Sequence, residues 1–214
     1  MEFNRDMLTL YAITDKDSLK GRDLCEAVEA AIKGGATMIR LRDKTLSERE
    51  LIREAKMLKG VCAKYNVPLI VNDNFRAAVV AKADGAHVGL HDTPVSVVRQ
   101  MAGKDFIIGA TVKTVTQAKA AEKAGADYLT IGAIFPSPGK ENVLRVTPEV
   151  FRDIVSGVGL PAAATGGINK DNIMALAGSG AAGFAVLSAI FGQEDIQSAA
   201  EQMRLLADTF RTSE

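Results

Sequence analysis

Short apolar runs of about strand length recur along the chain: Leu8–Thr14, Met38–Asp43, Pro68–Asp73, Ala86–Leu90, Phe106–Thr111, Tyr128–Ile134, Ala162–Gly166 and Phe184–Ala189. Almost every run is followed by a segment whose apolar residues return every three or four positions. In residues 47–66, Leu51, Ile52, Ala55, Leu58 and Cys62 mark one face of an amphipathic helix, with charges on the other. The joints into several runs resemble one another. GGATMIRLR, ADGAHVGL, AGADYLTIG and SGAAGFAVLS each place Gly or Asp in a turn and then enter an apolar strand, which makes a weak internal repeat.

Strands that are apolar on both faces and separated by helices require a parallel sheet. Eight such units in 214 residues, about 27 residues each, with no break in composition between them, favour closure into a single compact (β/α)₈ TIM barrel occupying 1–214 as one domain. The alternative, an open doubly wound sheet, lacks the G-x-G-x-x-G turn after its first strand. Residues 172–193 carry no charge and are long enough to suggest a membrane span. Gly178, Ser179, Gly180 and Gly183 interrupt them, and they read instead as a helix end, a turn and a strand.

Composition narrows the function. Hydrophobic residues make up 47% and charged residues 24%, which is globular usage. Twenty-six Lys plus Arg balance 26 Asp plus Glu, so no global field exists to hold nucleic acid or an anionic membrane, and any affinity for anions is local. Two cysteines, Cys25 and Cys62, form no disulfide framework and no metal spacing. The opening residues lack the features of a signal peptide, and a cytoplasmic protein is expected.

In such a barrel the chemistry belongs at the C-terminal ends of the strands. In the second run, alternation puts Arg40, Arg42 and Lys44 on one face and Ile39 and Leu41 on the other, so three cations are expected in the mouth and require an anionic partner. Asp73 ends the third run and Asp92 follows the fourth. Two carboxylates beside cations suit Mg²⁺ shared with ligand phosphates, although either residue also suits a helix cap or a turn. Neither His87 nor His91 is assigned a catalytic role. The loop from Phe135 to Asn142 centres on Lys140, and Gly166–Gly167 and Leu187–Ser188 end the seventh and eighth runs, where many barrels bind a phosphate. A helix is expected to begin near Asn169. Two anion sites in one mouth suggest a transferase joining a pyrophosphate-activated group to a second phosphorylated substrate.

The chain resembles the thiamine-phosphate synthase family through LYAITD, Arg40-Leu41-Arg42-Asp43-Lys44, Asn72-Asp73, GAHVGLHD ending at Asp92, FPSPGK ending at Lys140, Gly166-Gly167-Ile168 and Leu187-Ser188-Ala189-Ile190. The resemblance implies a TIM barrel that couples a (diphosphooxymethyl)pyrimidine to a thiazole phosphate with one Mg²⁺ per subunit, releasing pyrophosphate. It places the metal on Asp73 and Asp92. Arg40, Leu41, Arg42, Asp43, Lys44, Asn72, Thr111 and Lys140 take the pyrimidine pyrophosphate, with Arg42, Lys44 and Lys140 acting on the leaving group. Ser137, Pro138, Gly139, Gly167, Leu187 and Ser188 take the thiazole phosphate. The chain departs from the family's usual Gln at Arg40, Ser at Thr111, and Thr-x-Thr at Ser137-Pro138-Gly139. Competing expectations are a thiazole tautomerase-like barrel, where Lys113 stands in place of a histidine, and a non-catalytic sensor of thiamine precursors. No nucleic acid or membrane partner is expected, and a homo-oligomer is compatible with this reading.

Overall fold

A computed structural model describes residues 2–137 and 144–212. Eight parallel strands hydrogen-bond in sequence order, and the last pairs with the first, so the sheet closes into a barrel. They are β1 Leu10–Ile13, β2 Met38–Leu41, β3 Leu69–Asn72, β4 Gly85–Val88, β5 Ile107–Val112, β6 Tyr128–Ile131, β7 Ala162–Thr165 and β8 Gly183–Val186. The helices are α1 Lys16–Leu19, α2 Leu24–Lys33, α3 Glu48–Lys64, α4 Phe75–Ala81, α5 Val95–Ala102, α6 Val115–Lys123, α7 Pro148–Ser156, α8 Ser188–Phe191 and α9 Ile196–Thr212.

Each of the eight expected strands is present, with ends that local chemistry resets. Before β1, Asn4 caps a short 3₁₀ turn at Arg5–Leu8, so the strand opens at Leu10. The expected helix at 47–66 is α3, started by Ser47 and Glu50 capping each other's backbone N–H groups. The helix expected near Asn169 is instead a 3₁₀ turn at Ile173–Leu176. Asn169 and Asn172 turn their side chains back on the loop, and such residues favour local backbone bonds over helix. No helix among the described residues is long and apolar enough to cross a membrane.

Alternation along the strands divides the core in two. Leu10, Ile39, Leu41, Leu69, Val71, Leu129 and Phe184 point outward and pack with the helices. Tyr11, Ile13, Met38, Ile70, Ile107, Tyr128 and Ala163 point inward and fill the barrel, where Phe3, Met7 and Leu187 also pack. Phe3 stacks on Tyr128 with ring centres 5.4 Å apart, closing the end of the barrel away from the loops that follow the strands. The last helix meets the segment before β1 there: Arg211 of α9 donates to the Thr9 hydroxyl at 2.6 Å and pairs with Asp6.

Candidate active site

Near the C-terminal ends of the strands the inward positions turn polar: Arg40, Asn72, His87, Thr111, Thr130 and Thr165. Arg40 Nε donates to Asn72 Oδ1 at 2.6 Å. Behind this pair lies a closed network. The Tyr11 and Tyr128 hydroxyls are 2.8 Å apart, and His87 lies 3.2 Å from the Tyr128 hydroxyl, 2.8 Å from Thr111 Oγ1 and 3.2 Å from Thr130 Oγ1. Burial, with Arg40 adding repulsion, holds His87 well below the usual histidine range, so it stays neutral. Burial likewise pushes the Tyr11 hydroxyl up to about 12. The same guanidinium favours ionised Asp73, so Arg40 stands electrostatically between the barrel interior and the mouth.

β2 ends at Leu41, and strict alternation of inward positions ends there too. Arg40 faces the interior as expected. Arg42 lies beyond the strand, and its Nη1 is 3.0 Å from Asp15 Oδ1 of the loop after β1. Asp43 folds back on Thr45, whose backbone N–H and hydroxyl both donate to Oδ1 at 2.7 Å. Asp43 and outward-facing Leu41 line a groove of about 200 Å³ with Thr14, Leu24, Arg42 and Glu54, apart from the carboxylate cleft. Lys44 is exposed, and its charge reaches Asp73.

Asp73 and Asp92 come together. Asp73 adopts a left-handed φ of 62°, and its backbone N–H donates to the His87 carbonyl at 2.8 Å. The helix cap is the next residue, Asn74, whose Oδ1 accepts from Ala77 N at 2.9 Å. The Asp73 carboxyl is therefore free of capping duty and lies beside Asp92 in the same cleft. Burial first, then the Asp92 contact and charge, raise its pKa above the usual aspartate value. One oxygen of Asp92 accepts from Gly89 N at 2.7 Å, so the turn role considered for it is also present. Both carboxylates line an open cleft of about 440 Å³ with Glu48, Asn74, Arg76 and His91.

Two adjacent carboxylates, one of them half-buried and short of compensating charge, make a hard oxygen donor set that fits Mg²⁺. Among the described residues no cluster of three His, Cys, Asp or Glu side chains is placed to hold a metal. A cation on Asp73 and Asp92 would thus complete its shell with water and ligand oxygens, which is ordinary for magnesium.

The second group of expected residues surrounds the β7 and β8 ends. Gly167 has φ +70°, and a Cβ there would stand 2.5 Å from the Phe135 and Pro136 carbonyl oxygens, so the stem of the loop after β6, leading to half-buried Ser137, lies against it. Asn172 Nδ2, a contact the sequence did not signal, holds the Gly167 carbonyl at 2.9 Å. Leu187 leaves β8 into α8, where Ser188 is exposed. Pro138, Gly139 and Lys140 lie outside the described residues.

A closed parallel barrel with a carboxylate pair, cations and a glycine turn at the strand C-termini has the architecture of the TIM-barrel enzymes, whose chemistry sits at that face. The family model described as thiamine monophosphate synthase matches residues 10–190. The thiamine-phosphate synthase of Clostridium tetani is 42% identical over 91% of this chain and 93% of its own, and that of Ruminiclostridium cellulolyticum is 44% identical over the same shares. The solved thiamine phosphate pyrophosphorylase from Pyrococcus furiosus superposes with a TM-score of 0.88 at 37% identity, over 96% of this chain and 98% of that one. The chain belongs to the thiamine monophosphate synthase family.

Proposed function

We propose that this chain is a transferase that condenses a (diphosphooxymethyl)aminopyrimidine with a (phosphoethyl)thiazole, forming thiamine monophosphate and releasing pyrophosphate. The observation that carries this reading is the Asp73–Asp92 pair set beside the charges of Arg40 and Lys44 in the mouth of a family barrel. Mg²⁺ held by Asp73 and Asp92 would neutralise pyrophosphate charge and orient the leaving group. Arg42 is held at the rim by Asp15, and Lys44 and Lys140 join it in stabilising the departing pyrophosphate. Asn72 fixes Arg40, and Thr111 is fixed by His87, so the floor under the pyrimidine is pre-set.

The methylene C–O bond breaks with its electron pair leaving on pyrophosphate. The pyrimidine amino group donates electron density to the methylene carbon, and the thiazole nitrogen lone pair forms the new C–N bond. No proton has to be removed, which suits a site whose buried histidine is neutral and engaged on both ring nitrogens. Ser137, Pro138, Gly139, Gly167, Leu187 and Ser188 take the thiazole phosphate. The reading places the chain among soluble enzymes of the cytoplasm.

Incubating the purified protein with both precursors and Mg²⁺ tests this directly. Thiamine monophosphate and pyrophosphate should appear in equal amounts, and EDTA should stop the reaction until Mg²⁺ is restored. Binding of both precursors without pyrophosphate release would replace the transferase with a sensor, and activity that survives EDTA would remove the metal from Asp73 and Asp92.

A further inference from the structure

The β8 end of the site rests on α8, a helix of only four residues, Ser188–Phe191, with no side-chain cap at its start. So short a helix does not hold itself in water. Its last turn and the residues after it are gripped by one side chain from the other side of the barrel's closing seam. Arg22, between α1 and α2, directs each of its five N–H groups to a different backbone carbonyl. Nε donates to Leu19 O at 2.9 Å. Nη1 donates to Gln193 O at 2.5 Å and Glu194 O at 3.2 Å, and Nη2 to Ser18 O at 3.0 Å and Phe191 O at 2.5 Å.

Three of these carbonyls belong to the end of α8 and the turn after it, and two to the end of α1. The guanidinium thus satisfies acceptors that helix ends leave open, and its charge stands at the negative end of both helices. The α1 side is an anchor in its own right. Asp15 accepts from both the backbone and the hydroxyl of Ser18, at 3.2 and 3.0 Å, and Leu19 is buried. The Ser188 carbonyl is held in turn by Gly192 N at 3.1 Å and Gln193 Nε2 at 3.0 Å.

We propose that Arg22 is a positioning residue for the thiazole-phosphate subsite: it touches no substrate, but by fixing the end of α8 to α1 it holds Leu187 and Ser188 where the phosphate is received. The proposal rests on the assignment of Leu187 and Ser188 to that phosphate. Lysine keeps the charge but not the planar fork, so Arg22→Lys should recover only part of the function lost in Arg22→Ala.

The test compares wild type, R22K, R22A and Q193A in steady-state kinetics with each substrate varied, alongside thermal melts and an NMR titration of backbone amides with inorganic phosphate. In R22A the KM for the thiazole phosphate should rise about 10-fold to 100-fold, the scale of a misplacement near 1 Å. R22K and Q193A should show smaller rises. The KM for the pyrimidine substrate should stay within about twofold, and the Ser188 amide of R22A should need correspondingly more phosphate to shift. A purely structural role would lower the melting midpoint and the amount of active protein without separating the two KM values, and that outcome overturns the proposal. If R22A does not fold, R22K and Q193A decide by the same criterion. A wild-type Ser188 amide that ignores phosphate would instead refute the subsite assignment, and the role of Arg22 would fall with it. A normal wild-type response matched by the variants overturns Arg22 alone.

Discussion

Adding a single methyl group at Gly109 should unseat the polar floor of the barrel. In β5, Gly109 is paired in register with His87 on one side and Tyr128 on the other. A Cβ there would stand 2.2 Å from Tyr128 Cζ, 2.4 Å from its hydroxyl oxygen and 2.4 Å from His87 Nδ1. Ordinary contact needs about 3.5–4.0 Å, so the tyrosine ring and the imidazole must move by more than an ångström. Neither has room, since both are fully buried, Phe3 covers the tyrosine ring, and Tyr11 holds its hydroxyl. Overpacking of this kind costs about 1–3 kcal/mol, and a buried polar group pushed off its partner costs about another 1–3 kcal/mol. Gly109→Ala should therefore lose about 2–6 kcal/mol, a fall in Tm of order 10 °C for a chain of this size. The same substitution at Gly60, mid-helix in α3 with nothing within 4 Å of a Cβ, should stabilise by about 0.5–1 kcal/mol. Thermal melts of the two variants, checked by urea unfolding, give the comparison. A Gly109→Ala protein melting within a degree or two of wild type would refute the view that the His87–Tyr128 contact is tightly packed.

Three further outcomes follow from the site and its surroundings. The Asp73 carboxyl is raised by burial and by Asp92, so in metal-free protein its ionisation costs stability as pH rises through its folded pKa. Asp73→Asn should consequently melt higher than wild type near pH 8 in EDTA, match it well below pH 4, and gain nothing from added Mg²⁺. Equal melting at pH 8 would contradict this. Lys140→Ala should reduce turnover by roughly 10² to 10³ in the coupled pyrophosphate assay, and near-normal turnover would remove Lys140 from the leaving-group machinery. Burial, with Asp84 adding to it, pushes the Cys62 thiol up to about 12, whereas Cys25 is only half-buried. A thiol reagent at pH 8 should thus modify no more than one cysteine before denaturation and two after it.

The strands were legible because a two-sided apolar run leaves a strong trace, and Leu69-Ile70-Val71 has no other reading. Their ends were not. Arg42 continues the alternation on paper, but its partner Asp15 lies 27 residues earlier, and no local pattern shows that the strand stops at Leu41. The sequence favours a metal role for Asp73 over a helix cap without settling it, and the left-handed backbone at Asp73 gives the cap to Asn74. His87 read as a satisfied core residue, and it is one, yet its partners come from β5 and β6. Only the barrel's closure shows that the imidazole fixes Thr111 beneath the mouth. Arg22 left no signal at all, because all of its partners are backbone carbonyls.

The clasp of Arg211 on Thr9 and Asp6, at the end of the barrel opposite the chemistry, has a consequence for the chain as a string. Since β8 pairs with β1 as any neighbour pairs with the next, the sheet itself has no first strand. The order in which the strands are written is an accident of cutting a ring. A permuted chain that links the segment after Arg211 to the segment before Asp6 and opens in the exposed turn at Gly103, also away from the mouth, would write the same eight ladders in a rotated order and leave the catalytic rim untouched.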